Sequence, residues 1–470
     1  MRLPWRSETP DDDAAATSVG RHAQFAAFAR RVAAGEVIVP PQLLPREQRR
    51  LHVRATLRED HVERIQSRPD QAQAKFDKLA RSPFHFFRGT ALLFYRDRAG
   101  RDADLPHVFT IGDVHPENFG VRPNEDGAPV FGIDDFDEAH IAPFSWDLQR
   151  GALGFWIAAR DAGMPKSRRK KLVRCFADGY FEGLRLFARD ERERGHELRQ
   201  DNSPPLIVAL LERALDRRRE FLRSLVDIER GRFVPSKDVV PHSAHIAEFQ
   251  DAIDRYRSGL RRTTDHRAGH FKVKDVAIKK NSGTASLGLD RYYVLIDGTS
   301  GKPDDDIILE LKQARRSALA GLVPAAVAGD NADADRIQSA QHVALAGGDA
   351  YHGCTDLDGV PFIVSEESAL EIGLELPALS KSEAREYARI CGFTLAHAHA
   401  RSDEHPEVES NDVEREILRT VHPAVFTDDL VRGAEEDARR LLDDYALFLA
   451  DHALGAYEFV DRPATVPAPA

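Results

Sequence analysis

Two short apolar runs, each broken by an acidic turn, constrain this chain more than anything else in it. "VFTIGDVHPENFG" spans Val108 to Gly120, and "VFGIDDFDEAHIAPFSWDL" spans Val130 to Leu148. Val108–Ile111 and Val130–Ile133 read as buried strands. Polar turns at the ends of buried strands are held still, which makes them good places for chemistry. If the two runs pair, Asp113, Asn118 and Asp135 converge, with Asp134, Asp137 and Glu138 beside them. The competing reading is that Asp, Asn, Gly and Pro are simply what turns use. The second acidic turn, followed at once by "PFSWDL", weighs against it. One carboxylate to orient a nucleophile, with an Asn and a second carboxylate for magnesium, is a phosphoryl-transfer set.

The chain has 470 residues, enough for two or three structural units around a sizeable core. The net charge of -11 argues against a general nucleic-acid binder. Three separated cysteines, Cys175, Cys354 and Cys391, form no CxxC pair, so neither a disulfide framework nor a thiolate zinc site is expected. The first twenty residues lack an apolar signal core, and no apolar run is long enough for a bilayer. These features predict a cytoplasmic protein with no membrane partner.

Periodicity divides the chain into four parts. Residues 1–80 read as a disordered polar start followed by helix. Residues 81–265 hold strands and turns over 84–140, then helices, including the basic "LLERALDRRREFLRSLVDIERGR", read as a solvated helix face. Residues 266–370 are strand-rich: "VKDVAIKKNSGTASLGLDRYYVLIDG" reads as strand, turn, strand; "DDIILELKQARRSAL" as a strand running into a helix; "GVPFIVSEES" as a strand. Residues 371–470 are helical, ending in a disordered "RPATVPAPA".

A phosphate site also needs a loop and a cation. In "NSGTASLG", Gly283, Ser286 and Gly288 allow backbone amides to approach phosphate oxygens, although an ordinary hairpin explains the same residues. Lys312, in "IILELK", follows that loop on an apolar run and is the expected phosphate lysine. Lys279, in "VAIK", precedes the loop and reads as a solvated strand residue. Arg88 reads as a phosphate contact or a structural ion pair. His397 and His399, two apart on a helix, do not face each other and read as core or capping residues. His115 reads as a turn-shaping residue.

"GDVHPENFG" resembles the catalytic loop of the aminoglycoside phosphotransferase and choline kinase group, GDxHxxN, from Gly112 to Asn118. "IDDFDEA" with "PFSWDL" is similar to that group's metal turn and following helix. The resemblance implies Asp113 as catalytic base, Asn118 and Asp135 as magnesium ligands with Asp134 a rival for the second, and Asp147 as an anchor between helix and loop. It implies an α+β, two-lobed kinase-like fold with a small strand-rich lobe and a large helical lobe, using ATP and magnesium on a small-molecule or protein acceptor. The Gly-containing loop follows Asp113 instead of preceding it, so a circular permutation is expected. The helix in "EYARICGFTLAHAHARS" resembles the one that ordinarily leads into the catalytic loop. The small-lobe helix "DADRIQSAQHVAL" has no Glu for Lys312, leaving Gln341 as the nearest polar candidate. "FFRG", "GDVHPENFG", "DDFDE", "SGTASLGLDRYYVL", "LELKQA", "VPFIVSE" and "LAHAHARS" together resemble the bacterial family called domain of unknown function 2252. Two other readings stay open: a nucleotidyl transferase, and a pseudokinase that binds without turnover.

Overall fold

The computed structural model describes residues 14–190, 192–260, 269–280, 289–298, 300–323 and 333–459. The chain begins with helices α1 (Ala14–Ala33), α2 (Arg46–Asp60), α3 (Val62–Ser67), α4 (Pro69–Leu79), α5 (Pro83–Arg88) and α6 (Ala91–Arg96). Four strands follow: β1 (His107–Thr110), β2 (Phe119–Pro123), β3 (Pro129–Ile133) and β4 (His140–Pro143). Helices α7 (Phe144–Asp161), α8 (Lys166–Asp190) and α9 (Pro205–Leu225) lead to short strands β5 (Val226–Asp227), β6 (Arg232–Phe233) and β7 (Val239–Pro241). After α10 (Ile246–Gly259) come β8 (Val273–Lys279), β9 (Arg291–Ile296), β10 (Ile307–Gln313), α11 (Asp333–Ala344), β11 (Gly353–Leu357), β12 (Val360–Glu366) and β13 (Ile372–Gly373). Helices α12 (Lys381–Ala400), α13 (Val413–Thr420) and α14 (Pro423–Ala453) complete the order.

The fold is α+β with several antiparallel sheets. Its large core joins α7, α8 and α12 to strands β1–β4, with Trp146, Phe155, Phe176, Tyr180 and Leu395 fully buried. Helix α7 is apolar nearly all round, so it is enclosed on every side. Helix α12 starts at a capping box, in which the Ser380 side chain accepts from Glu383 N and Glu383 accepts from Ser380 N.

A second core lies under a six-stranded antiparallel sheet of order β11-β12-β10-β9-β8-β7. Successive side chains of a strand face opposite sides. In β9, Val294 and Ile296 therefore join α10 in one core. Tyr293 and Leu295 join Val226 and Phe233 in another. In β10, Leu309 and Leu311 enter the first core, while Ile308 belongs to the second. Alternation places Glu310 and Lys312 on the Ile308 side, so that face turns from apolar to charged along the strand.

Several sequence expectations need correction. Helix α1 begins at Ala14, inside the stretch read as disordered. Residues 83–96 form α5 and α6, not strands, because Ser82 caps a Pro-started helix by accepting from His85 N. Strands β5–β7 interrupt the helical region before 265, and β7 becomes a sheet edge. No helix follows β10 directly: residues 314–323 are turns, and Ser317 and Ala318 are drawn instead to Glu138. The tail "RPATVPAPA" lies outside the described residues. Among those described, no helix is long and apolar enough to cross a membrane.

The acidic run "RSDEHPEVESNDVERE" carries a pH-sensitive group. Glu414 is only 3% exposed. Burial, aided by Asp412, Glu193 and Asp403, pushes its carboxyl up to about 7. An unfolded Glu titrates near 4.3. A raised folded value means that folding favours the protonated form. The contribution is fully present below about pH 4 and is lost as pH rises towards 7. Glu414→Gln is therefore expected to stabilise the protein by about 1–2 kcal/mol at pH 8 and by less at pH 5. Urea midpoints at the two pH values check this, and equal differences would reject it.

Candidate functional site

The first acidic turn is fixed from several sides. Gly112 has φ +79°, and a Cβ there would lie 2.2 Å from the Glu138 carbonyl oxygen, so only glycine lets the two turns approach this closely. Asp147, in the first turn of α7, accepts from Ile111 N at 2.6 Å and from Gly112 N at 2.9 Å. His399 of α12 lies 3.1 Å from the same carboxylate, and its other ring nitrogen meets Tyr180 Oη at 2.8 Å. Tyr95 donates to the Gly112 carbonyl, and Tyr387 to that of Pro116. Asp147 is thus the anchor that the resemblance implied, and His399 is a core residue. His397 bonds the Glu193 carbonyl at 2.8 Å, well apart from His399.

His115 shapes the turn: its Nδ1 accepts from Glu117 N at 3.2 Å. Burial, with Arg88 and Arg150 nearby, holds its ring well below the usual imidazole range, so it is neutral at pH 7. Asn118 donates through Nδ2 to the carbonyls of Asp113 (3.1 Å) and Asp135 (3.2 Å). This one side chain ties the two turns together and leaves Oδ1 as the atom available to a cation.

Asp113 is gripped by Arg150 of α7. The guanidinium is fully buried, lies 3.8 Å from the Phe87 ring centroid, and donates to Asp113 Oδ1 at 2.8 and 3.2 Å. Asp113 Oδ2 faces His115 Nε2 at 3.7 Å and keeps room for another partner. Sequence reasoning missed Arg150. The available signal was its place three residues after Asp147, on one face of one helix.

The second turn runs from Asp134 to Glu138. Lys312 reaches it from the sheet, 2.6 Å from Asp137 Oδ2 and 3.2 Å from Asp135 Oδ1. Burial alone would lower the Lys312 ammonium, but the two carboxylates outweigh it and raise it. For Asp135, burial pulls upward, yet Lys312 and the Asp137 amide hold it well below the usual carboxylate range. Asp137 is pushed up by burial and by Asp135. Asp134 is exposed to solvent. A Cβ at Gly120 would lie 2.4 Å from Asp134 Oδ2 and 2.8 Å from the Ile372 carbonyl oxygen; the carboxylate can turn aside but the backbone of β13 cannot, so β2 favours glycine there.

From the side of the six-stranded sheet, Arg336 of α11 donates to the carbonyls of Asp137, Ala139 and Arg315. Arg315 pairs with buried Glu138. Neither residue was singled out from sequence. Gln341 does not approach Lys312: its amide faces Asp349. Lys279 is not a solvated residue. It is 15% exposed and bonds Glu310 (3.1 Å) and Glu367 (3.0 Å), and Glu367 also accepts from Tyr293 Oη at 2.6 Å. The strand alternation that turns Lys312 towards the acidic turn puts Glu310 on the same face, which draws Lys279 inward. Arg88 pairs with Glu117 at 2.5 Å, on the first turn and not on the second. Gly283, Ser286 and Gly288 lie outside the described residues.

Among the described residues, no group of three or more His, Cys, Asp or Glu side chains is arranged to hold a metal alone. Magnesium usually takes one or two protein oxygens and fills its octahedron with water and phosphate. Asp135 and Asn118 Oδ1 fit such a partial site. Neither a curated protein nor a solved structure matches this chain. A family model covers residues 67–453, described as an uncharacterized protein conserved in bacteria, and the chain therefore belongs to the DUF2252 family.

Proposed function

We propose that this protein is a kinase-like phosphotransferase that binds ATP with magnesium and passes a phosphoryl group to a small-molecule or protein acceptor. The observation that carries this reading is the contact between the strand lysine and the acidic turn. Lys312 Nζ lies 3.2 Å from Asp135 Oδ1 although 177 residues separate them. A strand lysine facing a metal-turn carboxylate, beside an Asp and an Asn on a tight loop, is the working set of a phosphoryl-transfer site. The parts run in a permuted order, with the lysine-bearing sheet after the loop. Helix α12 touches that loop directly through Tyr387 and reaches it through His399 by way of Asp147, which supports its reading as the helix that would otherwise precede the loop.

In this reading Asp113 Oδ2 orients and deprotonates the acceptor hydroxyl, while Arg150 keeps Oδ1 in place. Asn118 and Asp135 hold magnesium, and Lys312 meets phosphate oxygens. The metal, when bound, neutralises charge on the phosphates. A second reading, a nucleotide-binding module without turnover, has its own support. Among the described residues, Lys312 pairs with Asp135 and Asp137 and not with a carboxylate of α11.

A thermal melt with ATP, with magnesium and with both tests the first reading. A ligand at about 100 times its Kd adds roughly 2.7 kcal/mol to apparent stability. A rise is expected only with both, and is expected to vanish in Asp135→Ala and in Lys312→Ala. Unchanged nucleotide affinity in both variants would reject the assignment. Binding with no modified product by mass spectrometry across an acceptor screen would favour the second reading.

A further inference from the structure

We propose that Asp137 is a latch that holds Lys312 away from anions until a divalent cation enters the turn, so that the lysine meets phosphates only together with metal. This deepens the nucleotide reading and rests on it. The closest contact of Lys312 is with Asp137 Oδ2, at 2.6 Å, and not with Asp135, at 3.2 Å. Both members of the closer pair are mostly buried, with 14% and 13% of their side chains exposed. Asp137 follows Asp135 by two residues, and both carboxylates reach the same ammonium.

The backbone of the latch is fixed. Asp137 N donates to Asp135 Oδ1 at 3.1 Å, and the Asp137 carbonyl accepts from Arg336 at 2.9 Å. Release of Lys312 therefore means rotation of the Asp137 side chain, not movement of the turn. Charge explains what would drive it. Asp135 and Asp137 face Lys312, with Arg291 close to both and Glu310 paired to Arg291, so three carboxylates meet two cations and a polyphosphate arriving alone adds negative charge to a site already negative. A divalent cation gives Asp135 and Asp137 a second partner and lets the ammonium turn to the phosphates. Asp135 is the more open of the two, 41% exposed at its side chain, and receives the cation first.

Calorimetric titration of ATP, with magnesium and in EDTA, tests this on the wild type, Asp137→Asn and Asp137→Gly, with circular dichroism confirming the fold of each. The wild type is expected to bind ATP in EDTA far more weakly than with magnesium. Either variant is expected to bind metal-free ATP about tenfold more tightly than the wild type, narrowing the ratio. A folded variant that keeps the wild-type ratio, or one that loses ATP under both conditions, overturns the latch. If the wild type binds no ATP under either condition, the nucleotide reading fails and the latch is read from tripolyphosphate in EDTA. A larger rise in melting temperature for the variants than for the wild type then supports it, and equal shifts overturn it.

Discussion

Asp147→Ala is expected to cost about 3–5 kcal/mol of stability, the range for removing one partner from a buried charged network. The carboxylate is fully buried and serves three donors: Ile111 N, Gly112 N and His399. Alanine leaves two backbone amides without a partner in a water-free place, each costing about 1–3 kcal/mol. It also strands an imidazole beside Tyr180. Asp147→Asn keeps the shape but turns an NH2 towards donors, so it recovers only part of the loss. Equilibrium unfolding in urea measures both, and a change below about 1 kcal/mol for the alanine variant would show that the anchor does not bear on stability. The same amides set the path of the chain into Asp113. A folded Asp147→Asn protein is thus expected to lose more at the site than in the core.

Why some of this was legible in sequence and some was not follows from the range of the interactions. The turns around Asp113 and Asp135 could be found because each is local: a few residues whose types only a tight, polar, strand-ending turn requires. The β8–β9 pair was legible for the same reason, since alternation repeats every second residue. Helices α5 and α6 were not, because "SPFHFFRGTALLFYRD" has an apolar density that serves strand or helix equally. The Ser82 cap was the distinguishing sign. Lys312 was placed by order along the chain, but its immediate partner, Asp137, depends on a rotamer between two distant elements. Lys279 failed for a related reason: its fate is decided by Glu310 and Glu367, which lie far from it in sequence and come near only through the sheet register. Arg336 and Arg315 act on backbone carbonyls and on one buried glutamate. No spacing rule announces such contacts.

Glu138→Ala is the other substitution expected to have a large effect, again about 3–5 kcal/mol, because it leaves a buried guanidinium short of its counter-charge. Glu138 is 2% exposed. Its carboxylate pairs with Arg315 and accepts from Ala318 N, and its carbonyl accepts from Ser317 Oγ at 2.8 Å. Arg315 keeps a second partner in Asp60, 3.3 Å away at the end of α2, so part of its charge stays balanced. The double variant Glu138→Gln with Arg315→Met should then cost less than the sum of its single changes, by about 1–3 kcal/mol, as expected of residues in direct contact. A double-mutant cycle in urea measures that difference, and strict additivity would mean that the pair does not act as a unit. The consequence reaches the site. Glu138 follows Asp137 directly, and Arg315 lies three residues beyond Lys312, so this pair binds the turn that carries the carboxylates to the strand that carries the lysine. Loosening it should lengthen the Lys312–Asp135 contact even in variants that stay folded, and their affinity for ATP with magnesium should fall although no residue facing the ligand has changed.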